Sequence, residues 1–214
     1  MKRVMYACED LGVEVLSVYV FSTENWTRPR SEVRALMRLF HEAIQREIDE
    51  LDDRGIRIVV SGRRSELSQR MRERIAATEA RTSRNHNGIL NVCLNYGGRA
   101  ELVDAVRELI RGGARPQDVD ESALRAHLYH PELPDPDLII RTGGESRMSN
   151  FLLWESAYAE LYVTDTLWPD FGEEHLRRAV ADYRGRHRRF GGRPDLGADS
   201  VSLRLRHGGE ASAR

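Results

Sequence analysis

Short runs of β-branched and aliphatic residues recur along this chain. Each leads through a polar or glycine-bearing loop into a stretch whose apolar residues keep helical spacing. Val13 to Phe21 precedes the periodic positions Val33, Leu36, Met37, Phe40, Ile44, Ile48 and Leu51. Ile56 to Val60 precedes a charged helical stretch over 67–82, and Ile89 to Leu94 precedes another over 100–111. Leu138-Ile139-Ile140 and Leu161-Tyr162-Val163 add two brief strands, with helices predicted over 121–129 and 173–189. Parallel strands need such crossovers, so the alternation predicts an α/β fold: a mostly parallel central sheet flanked by helices. Ligands of such sheets bind beyond the carboxyl ends of the strands, where the polar clusters of this chain fall. One irregularity stands at the start. Residues 1–11 place Val4, Met5, Cys8 and Leu11 on one helical face before a stop at Gly12. A domain of this class more often opens with a strand, so a first strand is expected to be missing from the pattern.

Length and charge narrow the function. The 214 residues suit one domain, taken as 1–192, with a Gly-, Ala-, Ser- and Arg-rich tail over 193–214. With 33 basic residues against 34 acidic ones, the chain lacks the excess that a whole-surface nucleic-acid binder needs. Lys2 is the sole lysine, so arginine supplies the other cations. Arginine's planar fork grips phosphate or carboxylate at two points, although codon usage in a GC-rich genome accounts for the total. Cys8 and Cys93 have no metal or disulfide spacing, and no apolar run approaches a membrane span of ~18 residues. A cytoplasmic protein with at most peripheral membrane contact is expected.

Three clusters could carry chemistry. Phe21-Ser22-Thr23-Glu24-Asn25-Trp26-Thr27-Arg28-Pro29 offers hydroxyls and a guanidinium, which suit a phosphate, or else forms a capped turn before the long helix. In Ile140 to Asn150, Arg141 and Arg147 flank Gly143-Gly144. That spacing suits a diphosphate, or else a surface turn with solvated arginines. It is neither a GxGxxG fingerprint nor a P-loop. Trp154 to Tyr162 carries Glu155 and Glu160, either metal ligands or partners for arginine, and the ion pair is favoured for Glu160. The histidines form no ligand pattern. An apolar interior beside two anion sites suits an amphiphile with a diphosphate head.

These clusters, in this order, resemble the cis-prenyltransferase family, also called isoprenyl transferases or undecaprenyl diphosphate synthases. The matching stretches are FSTENWTRP (21–29) with Glu32, NYGGR (95–99), the long segment 137–171, and RRFGG (188–192). The resemblance implies Mg²⁺-dependent addition of isopentenyl diphosphate to an allylic diphosphate such as farnesyl diphosphate, usually by a homodimer. It implies that Ser22, Thr23, Glu24, Trp26 and Arg28 line the substrates and that Asn25 holds the position assigned to proton acceptance. A neutral amide is a poor base, so Asn25 is expected to place the proton near a diphosphate oxygen that accepts it. Arg141, Arg147, Met148 and Ser149 match the isopentenyl diphosphate site, Glu160 matches a Mg²⁺ ligand, and Arg189 and Gly191 match a motif reaching the partner subunit. The growing hydrocarbon needs an apolar tunnel, with the long helix 31–53 and strand 89–94 as candidate walls.

The resemblance also marks a departure. The family pattern opens with a strand and an Asp-Gly-Asn-Gly-Arg-Trp loop that helps hold Mg²⁺, and Met1 aligns inside the following helix. An internal start codon is the expected cause, and the 214-residue chain is expected to turn over little by itself. The competing expectation is a non-catalytic subunit that lends Arg189 and Gly191 to a full-length partner.

Overall fold

The computed structural model describes residues 2–186. The predicted alternation is present as α1 (Lys2–Leu11), β1 (Val15–Ser22), α2 (Arg30–Asp53), β2 (Ile56–Ser61), α3 (Gln69–Thr82), β3 (Gly88–Tyr96), α4 (Gly98–Arg111), α5 (Glu121–Arg125), β4 (Leu138–Thr142), β5 (Glu160–Thr164) and α6 (Glu173–Arg184). Every strand pairing among the described residues is parallel. Two helices are shorter than their apolar spacing predicts. The segment after Arg125 leaves the α5 helix because the N–H of Tyr129 goes to the Glu101 carboxylate at 3.0 Å instead of continuing the helical ladder. Helix α6 stops at Gly185, whose N–H closes onto Ala181 and Asp182, and the remainder of its predicted span from 187 lies outside the described residues.

The sheet differs from a single central one. Strands pair in the order β1-β3-β2 in one sheet and β4-β5 in a second. Of the described strands only β3 is paired on both edges, and its nine residues are almost all buried. Leu90, Val92 and Leu94 project into the main core with Ile58 and Val60 of β2, Val33 and Phe40 of α2, and Met71 and Ile75 of α3. Cys93 turns to a separate cluster with Tyr96 and Leu152. A third cluster joins Val4, Ala7 and Cys8 of α1 to Phe171, Leu176 and Val180 near and within α6. Between the facing edges of β1 and β4 runs a cleft of about 930 Å³, lined by Val13 to Val20 on one side and Leu138 to Thr142 on the other.

A smaller cavity of about 270 Å³ lies under the main sheet, between α2 and β3, as the two candidate tunnel walls require. Leu36, Phe40 and Ile44 face Leu90, Val92 and Leu94 across it, Phe21 stands at one side, and Glu47 is its one charged lining residue. At the upper edge Gly62 has φ +133°, and a Cβ there would stand 2.1 Å from the Leu94 carbonyl. Only glycine lets the loop after β2 cross the end of β3 so closely.

The edge pairing sets an expectation for amide exchange. The β3 amides exchange slowest, and cleft-facing amides of β1 and β4 exchange at least about tenfold faster, because no described strand covers their hydrogen-bonding edge. Hydrogen exchange read by NMR checks this; equal protection across β1, β3 and β4 would contradict it.

Candidate active site

The carboxyl ends of β1, β3 and β4 lead into three loops, residues 22–28, 95–98 and 141–150, and these meet. In the first, residues Thr23–Thr27 form a 3-10 turn where a plain loop was expected. Asn25 closes it: its Oδ1 accepts the Ser22 N–H at 2.9 Å, which commits one lone pair of that oxygen to the turn. Trp26 donates its indole N–H to Asn95 Oδ1 at 2.7 Å and meets Phe21 edge to face. Arg28 pairs with Glu32 one helical turn on, at 2.8 Å. Glu24 accepts from Thr23 Oγ1 and from Asn150 Nδ2. Partial burial works to raise the Glu24 carboxyl, but hydrogen bonds from its own backbone, Asn150, Thr23 and Ser22 outweigh that and hold it below the usual range.

The third loop brings the two arginines together. Arg141, half-buried at the end of β4, and the more exposed Arg147 both donate to the Glu145 carboxylate, one to each oxygen. The Arg141 hydrogen bond, and next the charge of Arg147, hold the Glu145 carboxyl below its ordinary range. Gly143 and Gly144 make the turn between them, tied by their N–H groups to the carbonyls of Thr166 and Thr164. Arg141 Nε is buried with no protein partner among the described residues. Two converging guanidiniums already bridged by an anion form a site that a diphosphate could enter by displacing Glu145. Met148 is half-buried beside Arg147 on the cleft, and Ser149 is exposed with φ +50°.

Glu160 does not join them. It begins β5 in register with Leu138, whereas Arg141 is in register with Val163. The two are therefore separated by three residues, about 10 Å along the sheet, and by alternation they point to opposite faces. Glu160 instead accepts from Arg186 at 2.9 Å, the ion pair favoured from the residues alone. Among the described residues no three His, Cys, Asp or Glu side chains assemble as a metal site. Arg189 and Gly191 lie outside the described residues.

Sequence reasoning assigned no role to three residues that shape this region. Asn95, fully buried with φ +51°, accepts from Trp26 and donates to the Arg63 carbonyl and to Glu66, both at 2.9 Å. Asn150 is its counterpart in the third loop. Behind them Glu101 of α4 accepts from the Tyr96 hydroxyl and the Tyr129 N–H, with Glu155 close by. Burial, and then the Glu101 charge, push the Glu155 carboxyl up to about 7. The only trace of such sites in the sequence is asparagine or glutamate inside otherwise apolar runs, which does not say which buried group each will meet.

The match to known proteins is consistent across the chain. The family profile described as "Putative undecaprenyl diphosphate synthase" matches residues 1–191. The chain belongs to this family. It is 47% identical over 196 residues to an isoprenyl transferase of Heliobacterium mobile, covering 90% of this chain and 75% of that protein. It is 44% identical over 195 residues to a ditrans,polycis-undecaprenyl-diphosphate synthase ((2E,6E)-farnesyl-diphosphate specific) of Xanthomonas axonopodis pv. citri, covering 89% of this chain and 76% of that one. Among solved structures, lavandulyl diphosphate synthase from Lavandula x intermedia, in complex with dimethylallyl diphosphate, superposes with a TM-score of 0.84 and 34% identity, over 89% of this chain and 84% of that one. A probable undecaprenyl diphosphate synthase from Campylobacter jejuni gives 0.83 and 31%, over 89% of each chain. The α/β architecture and the membership of a prenyl transferase family thus agree with the expectations from the sequence. No described helix is long and apolar enough to cross a membrane.

The acid pair of this prenyl transferase gives a pH signature. A carboxyl raised from 4.5 to about 7 holds its proton more tightly in the folded chain than in the unfolded one. Its stabilising contribution is complete below the unfolded value and is lost as pH rises through about 7. Stability should fall by on the order of 2 kcal/mol between pH 5 and pH 8 from this pair. Denaturant titrations of the wild type and Glu155→Gln check it: the variant should lose most of that slope. An unchanged slope would mean Glu155 is ionised throughout.

Proposed function

We propose that the chain carries the cis-prenyl elongation chemistry of its family, condensing isopentenyl diphosphate with an allylic diphosphate such as farnesyl diphosphate to give a Z-polyprenyl diphosphate. The observation that carries the reading is the pair Arg141 and Arg147, converging on one carboxylate at the carboxyl end of β4. A separate apolar cavity between α2 and β3 offers room for hydrocarbon. In this reading Arg141, Arg147 and Ser149 hold the isopentenyl diphosphate head, with Met148 beside them. Ser22, Thr23, Glu24, Trp26 and Arg28 bound the substrates, and the cavity receives hydrocarbon.

The allylic C–O bond breaks, the electron pair leaves with the diphosphate, and the new C–C bond forms from the isopentenyl double bond. The proton then lost goes to a diphosphate oxygen. Asn25 orients that oxygen through its N–H₂ group without taking the proton. Fixed guanidiniums favour this chemistry because negative charge develops on the departing diphosphate. Mg²⁺ would supply further counter-charge when bound, commonly through one or two carboxylates and phosphate oxygens. Within one chain the described donors do not fit that role, since Glu160 is held by Arg186 on the other face of β4-β5.

Tyr158, Val163, Leu167 and Trp168 expose apolar surface on and around β5. That surface supports the proposal of a homodimer in which Arg189 and Gly191 reach the partner's site, in the cytoplasm with at most peripheral membrane contact. The open cleft between β1 and β4 supports the expectation of a further parallel strand there. The same cleft, with the placing of Glu160, favours a second reading: a subunit that supports a relative's catalysis.

Two measurements test this. Calorimetry should detect isopentenyl diphosphate binding, weakened about 10- to 100-fold by Arg141→Ala through loss of charge-assisted hydrogen bonds. Labelled isopentenyl diphosphate, farnesyl diphosphate and Mg²⁺ are then incubated with the chain, alone and mixed with a bacterial relative. Z-polyprenyl product from the chain alone supports elongation, and a gain seen only on mixing supports the subunit reading. Neither binding nor product would overturn both. Ala43→Phe, which fills the apolar cavity, should shorten any product while leaving isopentenyl diphosphate affinity unchanged within about twofold.

A further inference from the structure

Asn150 stands where the three loops touch. Its backbone carbonyl accepts the Gly98 N–H and its Oδ1 accepts the Arg99 N–H, each at 2.8 Å. The first two amides of α4 are thus capped by a residue 51 positions away from Arg99. Its Nδ2 donates to Glu24 Oε1 at 2.8 Å. The amide orientation is fixed by these partners, because a flipped group would set N–H against N–H and oxygen against carboxylate. The approach is close from every side. A Cβ on Gly97 would lie 2.7 Å from Asn150 Nδ2 and 2.7 Å from Thr23 Oγ1. Asn150 has φ +65°, with Ser149 and Leu152 also left-handed at +50° and +43°. Asparagine tolerates that conformation better than most residues, and three such residues in four positions mark a segment held by its surroundings.

We infer that Asn150 is a positioning residue of the diphosphate site. It fixes the Glu24 turn, the start of α4 and the Arg141–Arg147 loop in one register, so that groups from β1 and β4 face the same ligand. The inference rests on the diphosphate reading above. Asn150 also occupies the N–H groups of Gly98 and Arg99 that open α4, so these are not an anion site.

A substitution cycle tests the bridge. Asn150→Asp keeps an acceptor for Arg99 but sets two carboxylates against each other. Glu24→Gln alone keeps the bridge, since its Oε1 still accepts from Asn150. In the double variant the side-chain amide introduced by Glu24→Gln can donate to the new carboxylate, restoring the bond with its direction reversed. Isopentenyl diphosphate affinity is measured by calorimetry for all four proteins, with thermal stability alongside. In the wild-type background Asn150→Asp should weaken binding about tenfold; in the Glu24→Gln background the same change should cost less than about threefold. Asn150→Gly, which suits the backbone and removes the side chain, should weaken binding in both backgrounds alike. Equal losses for Asn150→Asp in both backgrounds, or no loss in either, would overturn the proposal. If Asn150→Asp does not fold while the double variant does, the bridge is supported through stability. A wild type that binds no isopentenyl diphosphate overturns the site reading and this role with it. In that event non-additive melting temperatures would still identify the bridge as structural.

Discussion

The structure depends on β3 being held from both edges. It is the one described strand with neighbours on either side, and it takes β1 and β2 in parallel register along most of its length. Its alternating side chains feed two cores: Leu90, Val92 and Leu94 toward α2 and α3, Cys93 toward Leu152. Its last residues, Asn95 and Tyr96, are polar at the end of the sheet where the loops gather. Asn95 holds Trp26 of the first loop and the turn after β2, while Tyr96 holds Glu101 of α4. Polar groups this deeply buried are costly unless paired, so these bonds define the loop positions as firmly as packing defines the strands.

From that end the site is assembled by asparagines more than by the charged residues that first attract notice. Asn25 closes its own turn, Asn95 ties the first loop to β3, and Asn150 ties it to α4 and the arginine loop. Each carboxamide carries an acceptor and a donor on one side chain, which no carboxylate or ammonium can do. The charged groups then occupy the surface so formed. Glu145 sits between Arg141 and Arg147 as an internal anion, and a separate apolar cavity lies beneath β1 and β3.

The elements themselves were legible because burial imposes periodicity. Val33, Phe40, Ile48 and Leu51 are buried along α2 as their spacing requires, and Ile89 to Leu94 of β3 reads as an apolar run broken only by Asn91, because the strand is buried. Three things were not legible. The early end of α5 depends on Glu101 capturing the Tyr129 N–H from another helix. The division of the sheet depends on which edges meet, and strand composition does not encode that. Glu160 lies a strand's length from Arg141 because of the β4-β5 register, whereas linear order alone places both in one motif. Residue chemistry alone favoured an ion pair for Glu160 and the resemblance replaced it with a Mg²⁺ ligand; in the structure its carboxylate meets Arg186.

In the reading proposed above, Arg141 and Arg147 form a diphosphate site that Glu145 bridges in the free chain. A crystal structure of the chain grown with isopentenyl diphosphate tests it most directly. Diphosphate oxygens are expected within hydrogen-bonding distance of both guanidiniums, with the Glu145 carboxylate displaced from between them. Glu145 still bridging the two arginines, with the diphosphate bound elsewhere, would contradict it.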